Sequence, residues 1–177
     1  LRERQDMIPR FDAFVGVDWS GAQGKFYDGI AVALCEAGGS SAPVLVAPPG
    51  KRWRRGDFVD WLAGQSDRRL LVGIDCAFAL PESSAKAMLG DDRYTAFALW
   101  DHIDRACADD PDFFGGSFVR HGSNPRQFWT EGPRPEGFAE LHRATEIACR
   151  SVRLGAPESP LKLVGARQVG KGGLAGI

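Results

Sequence analysis

Along the chain, apolar residues fall first into short runs and only later into the spaced stripes of helices. Residues 11–18 form one such run, with β-branched residues and glycine on its flank, closing on Asp18; this predicts a strand. Its lack of alternation predicts burial on both faces. A turn of small residues follows, from Ser20 through Gly21 to Gly24. Runs at 29–35 and 44–47 predict two more strands, and such short connections require antiparallel neighbours. Pro48, Pro49 and Gly50 close this three-stranded meander.

Helical spacing appears next. Phe58, Val59, Trp61 and Leu62 predict a helix over 57–65, with Asp57 as its N-cap. That helix serves as the crossover that brings 69–75 back as a strand parallel to the first. The two parallel strands carry the same phrase, Val15-Gly16-Val17-Asp18 and Val72-Gly73-Ile74-Asp75. Further helices are predicted over 82–89, over 92–108 with a stripe of Phe97, Trp100, Ile103 and Cys107, and over 138–153. Residues 1–10 read as a loose lead-in. Residues 109–136 read as a long irregular stretch, whose Phe113, Phe114, Phe118, Phe128 and Trp129 favour an ordered, docked loop over a disordered one.

Composition changes this picture little. A chain of 177 residues suits one well-buried domain, here 1–177, and a net charge of −1 gives no overall field for nucleic acid or membrane. The four cysteines are scattered, with no pairing typical of zinc ligands. No run reaches the length of a membrane span, and the first residues lack a signal-peptide core, so the expectation is a cytoplasmic protein with no membrane partner. His102, His121 and His142 show no metal-ligand spacing. His102 reads as a surface or boundary residue of its helix, and His121, beside Gly122 in the long loop, is the one that stands out. No serine or cysteine sits in a nucleophile elbow.

Strand, strand, strand, helix, strand, helix, with acids ending the first and fourth strands, is a ribonuclease H-like order. The phrase Gly16-Val17-Asp18-Trp19-Ser20-Gly21-Ala22 resembles the opening motif of the DUF429-type predicted nuclease family of that superfamily. Gly73-Ile74-Asp75 with the apolar turn to Pro81 resembles a second segment of that family, and the glycine-rich phrase from Lys162 to Gly176 resembles a third. The resemblance implies an α/β fold with a ribonuclease H-like mixed sheet and flanking helices. It also implies a metal-dependent phosphodiester hydrolase acting on nucleic acid. Family members usually continue past the glycine-rich phrase with a helix and a further strand, so a C-terminally truncated domain is expected.

The chemistry follows from the acids. Asp18 and Asp75, ending adjacent strands, would hold Mg²⁺ or Mn²⁺, because two-metal phosphodiester hydrolysis needs carboxylates that clamp ions roughly 4 Å apart. An acid at a strand end also commonly caps a loop, which is the competing structural role. Glu146, in a phrase (Arg143-Ala144-Thr145-Glu146) resembling a family signature, is a further catalytic candidate, and Glu131 a weaker ligand candidate; either can equally be a solvated acid. Arg143 joins the substrate-binding candidates. A second reading makes Ser20 and Lys25 a phosphate-binding turn of the type used by actin- and sugar-kinase-related proteins, with Lys171 in Gly170-Lys171-Gly172-Gly173 as another anion-binding nest. The partner would then be a nucleotide. A third reading is a non-catalytic member of the family. The basic run Lys51-Arg52-Trp53-Arg54-Arg55 could hold a nucleic-acid backbone and stack a base, or simply be solvated.

Overall fold

Ala13, Val15 and Val17 turn inward while Phe14, Gly16 and Asp18 face outward, so β1 (Ala13–Asp18) is buried on one face only. The expectation of burial on both faces is corrected: Phe14 and Gly16, non-polar yet outward, hide the period of two in what reads as a continuous run. The structure is a computed structural model that describes residues 10–23, 29–38, 40, 42–165 and 169–177. The predicted lead-in at 1–10 thus lies, apart from Arg10, outside the described residues. The chain divides into two compact units. The first holds 1–19 and 25–75, the second 20–24 and 76–177.

In the first unit, β1 pairs antiparallel with β2 (Ala31–Glu36), which pairs antiparallel with β3 (Val44–Leu45). On its other side β1 pairs in parallel with β4 (Leu70–Ile74), giving a four-stranded mixed sheet in the order β3-β2-β1-β4. The meander and the parallel return are as the sequence predicts, with shorter strands. The helix α1 (Arg55–Ala63) joins β3 to β4. It starts two residues before the predicted 57, because Asp57 acts from inside its first turn: the Asp57 carboxylate accepts the Arg54 N–H at 3.2 Å. Val15, Val17, Ile30 and Val32 pack with Trp53 and Phe58 into one core. Those apolar side chains, removed from water at roughly 25 cal/mol per Å², hold sheet and helix together.

The second unit is mostly helical. The helix α2 (Glu82–Leu89) has the predicted bounds and ends where Gly90 takes a φ of 65°. The helix α3 (Ala96–Ala106) begins later than predicted because the Thr95 hydroxyl caps it, accepting the Ala98 N–H at 3.0 Å. Leu99 and Ile103 face its core. Phe97 does not; it is 72% exposed and meets Trp100 edge-on at 5.1 Å. The predicted loop at 109–136 contains a five-residue helix, α4 (Gly116–Arg120), and two 3-10 turns. Phe118 and Phe128 are buried against one another, as an ordered, docked segment requires, while Phe113 is exposed. The predicted helix at 138–153 shrinks to α5 (Ala144–Ser151), since Phe138 is buried in a turn of its own and Arg143 starts the helix. Trp129 and Lys162 form a parallel bridge closed by Trp129 N–H to Leu161 O and Leu163 N–H to Trp129 O. The glycine-rich end, read from the sequence as an anion-binding nest around Lys171, is helical: α6 (Gly170–Gly176). Among the described residues no helix is long and apolar enough to cross a membrane.

Candidate functional site at two strand ends

The parallel register pairs Val17 with Ile74, which sets Asp18 and Asp75 opposite one another one step further on. The hydrogen bonds agree. The Asp75 N–H donates to Val17 O at 3.0 Å, as the next rung of a parallel ladder does. The rung after it would run from the Trp19 N–H to the Asp75 carbonyl. Instead the Trp19 N–H donates to Asp75 Oδ1 at 2.9 Å. A side chain therefore ends the ladder, and the two strands separate at the two acids. Paired residues of parallel neighbours point to the same face, so both carboxylates stand on the exposed side of the sheet, where adjacent strands lie about 4.8 Å apart.

One position back on that face, Gly16 pairs with Gly73. A Cβ at Gly16 would meet nothing within 4 Å, and one at Gly73 only Val15 O at 3.9 Å. Bare backbone thus runs up to the acids, with Phe14 and Leu71 exposed beyond it. Glycine inside a strand often marks a place where a ligand or another backbone comes close. On the opposite face Trp19 turns back onto Phe58, ring centres 5.6 Å apart, which anchors the segment leaving β1. The acids were legible as a repeated phrase. The glycine strip was in the same phrase, and its meaning depended on knowing which face stays open.

The other sequence candidates fall elsewhere. Glu146 is 5% exposed and serves the start of α5: one carboxylate oxygen accepts the Arg143 N–H at 2.6 Å, and the other takes the Arg143 guanidinium through Nε at 2.8 Å and through Nη2. Both Glu146 and Arg143 belong to the second unit and are spent largely on each other. Glu131 is exposed, in the same unit. Lys25 lies outside the described residues. Ser20 and Lys171 both belong to the second unit, where the Ser20–Gly21 segment meets the first turn of α6: a Cβ on Gly21 would fall 2.0 Å from the Lys171 carbonyl carbon and 2.2 Å from Gly172 N.

The basic run does not form one patch. Trp53 is 3% exposed and edge-on to Trp61, so it offers no face to a base, and Arg55 is wholly buried in α1. Arg54 is held to Asp57 at 3.7 Å. Lys51 and Arg52 are exposed; with β2 and β3 residues they rim an open cleft of about 440 Å³.

No group of three or more His, Cys, Asp or Glu residues with metal-binding geometry exists among the described residues. Asp18 and Asp75 are a pair, which fits an ion that keeps most of its waters better than a closed protein cage. Fold and site together define an α/β protein with a four-stranded mixed sheet and a carboxylate pair where two parallel strands part. No family model matches the chain, and no curated protein or solved structure does either.

Proposed function

We propose that the chain is a metal-dependent phosphodiester hydrolase of ribonuclease H-like build, acting on nucleic acid with Asp18 and Asp75 as its metal ligands. The observation that carries the reading is their shared exposed face at the paired ends of β1 and β4, beyond a strip without side chains. Mg²⁺ is commonly held by one or two carboxylates, its own waters and the phosphates of a substrate, so a pair of acids on an open face is a sufficient donor set. Bound there, the ion supplies a polarised water and neutralises charge on the phosphate. The chain's own part is positional. Asp75 is oriented by the Trp19 N–H through Oδ1, which leaves Oδ2 for an ion, and Gly16 and Gly73 leave room for a substrate backbone.

The test is Mn²⁺ titration by calorimetry, paired with a cleavage assay on single-stranded DNA and RNA. Wild type binds Mn²⁺ and cleaves; Asp18→Asn and Asp75→Asn lose both with the fold intact. Absence of divalent binding at millimolar metal sinks the reading.

A second reading is favoured by the close meeting of the Ser20–Gly21 segment with the first turn of α6, at Lys171 and Gly172, backbone to backbone. In that reading the two segments bind the phosphates of a nucleotide through backbone N–H groups. Nucleotide binding without divalent-dependent cleavage, lost in Lys171→Ala, distinguishes it from the first.

A further inference from the structure

His102 lies on α3 and His121 directly follows α4, 19 positions later in the chain, yet their rings stand 5.7 Å apart and nearly perpendicular. His102 Nε2 is buried and has no hydrogen-bond partner. A buried ring nitrogen without a partner forfeits a hydrogen bond's worth of free energy unless something else occupies it. We propose that His102 and His121 form a two-imidazole site for a first-row transition-metal ion of the Zn²⁺, Ni²⁺ or Cu²⁺ class, separate from the carboxylates of the sheet.

The spacing suits the chemistry. Two imidazoles sharing one ion at metal–nitrogen distances of about 2.0–2.1 Å place their ring centres roughly 5–6 Å apart. Imidazole nitrogen is the ligand such ions favour, whereas Mg²⁺ prefers oxygen. Burial is the main cause that holds the His102 pKa below its ordinary value. Phe118 packs edge-on against His102 at 5.8 Å and fixes the ring from the core side. The Cys107 thiol, at the end of α3, accepts the Phe118 N–H, which ties α4 to α3 behind the rings. His121 is exposed, so the remaining coordination positions open to water or to an exogenous ligand.

The imidazole ring resonances of the full chain, followed by NMR during Zn²⁺ titration at pH 7.5, test this directly and are insensitive to metal held by thiols elsewhere. His102 and His121 shift together, and His142 does not. His121→Ala, a change at an exposed position, weakens the Zn²⁺ response of His102 at least tenfold while leaving the thermal melt in place. A His102 ring unmoved at millimolar Zn²⁺ overturns the proposal, as does an undiminished His102 response in His121→Ala.

Discussion

The Trp19 N–H donates to a side-chain oxygen of Asp75 at 2.9 Å where a regular parallel ladder would use the Asp75 carbonyl. Asp75 is thus a structural cap and a candidate ligand at once, and Asp18, whose carboxylate has no hydrogen-bond partner among the described residues, is not a cap. The two acids should therefore part company in stability measurements. With metal chelated, Asp75→Ala costs about 1 kcal/mol, the usual loss when a capping side chain goes. Asp75→Asn is near neutral, because the amide oxygen still accepts. Asp18→Asn gains slightly, since removing one of two neighbouring negative charges relieves repulsion. Urea unfolding in EDTA measures all three, and an equal loss at both positions contradicts the assignment.

Gly16 offers the reverse separation. A valine there adds a β-branched side chain to a strand interior, in space that holds no atom within 4 Å of the new Cβ. Stability holds or rises by about 0.5–1 kcal/mol, since glycine costs that much inside a strand. The added side chain stands beside Asp18 and Asp75 on the open face, so under the proposed function Mn²⁺ affinity survives while cleavage of a nucleic-acid substrate falls at least tenfold. Undiminished cleavage in Gly16→Val would show that substrate does not approach across the strip.

Gly21→Ala acts through packing. The added carbon would sit 2.0–2.3 Å from the backbone of Lys171 and Gly172, with no flexible side chain to yield. One of the two segments must move, and a loss of about 1–3 kcal/mol is expected, in the range of overpacked sites. Thermal unfolding reads it, with Gly50→Ala, where the Cβ meets nothing, as the neutral comparison.

Asp110 gives a pH dependence. Burial alone would raise its pKa, but hydrogen bonds from the Ser117 hydroxyl at 2.6 Å and the Ser117 N–H at 2.7 Å, with the Cys107 thiol, outweigh burial and hold it below the ordinary carboxylate value. A carboxylate with a depressed folded pKa stabilises above its unfolded pKa, near 3.9, and loses that contribution as pH falls through the folded one. Asp110→Asn therefore costs about 1.5–3 kcal/mol at pH 7, as for a hydrogen bond to a charged group. The gap narrows below about pH 4. Parallel denaturation curves at pH 7 and pH 3 check this, and a gap that is the same at both refutes it.

The sheet was readable because its signals are local. Short apolar runs, small-residue turns and one helical stripe are enough to order three antiparallel strands and a parallel return, and the repeated Val-Gly-x-Asp phrase put Asp18 and Asp75 side by side. Less local facts escaped. Phe97 carries helical spacing yet is exposed, because Leu99 and Ile103 set the buried side of α3. Glu146 reads like a catalytic acid from its phrase and is instead engaged by Arg143 at the start of a helix six residues later than predicted. Trp53, interleaved among four cations, reads as a stacking platform but belongs to the core, because Trp61 and Phe58 on α1 take up its ring. His102 and His121 share no sequence spacing a motif would notice; only the turn of the chain after α4 brings the rings together.

Four of the seven residues of α6 are glycine, each of which costs about 1 kcal/mol relative to alanine in a helix. That segment has no helical tendency of its own, so its conformation is borrowed from Leu174 and Ala175, which are buried, and from Gly173, whose position under Ala77 leaves only 3.1 Å to a would-be Cβ. Docking and coiling are then a single event. Hydrogen exchange at the Gly173 and Ile177 amides, which bond to Val169 O and Gly173 O, times the arrival and departure of the whole segment, and not the fraying of a helix end.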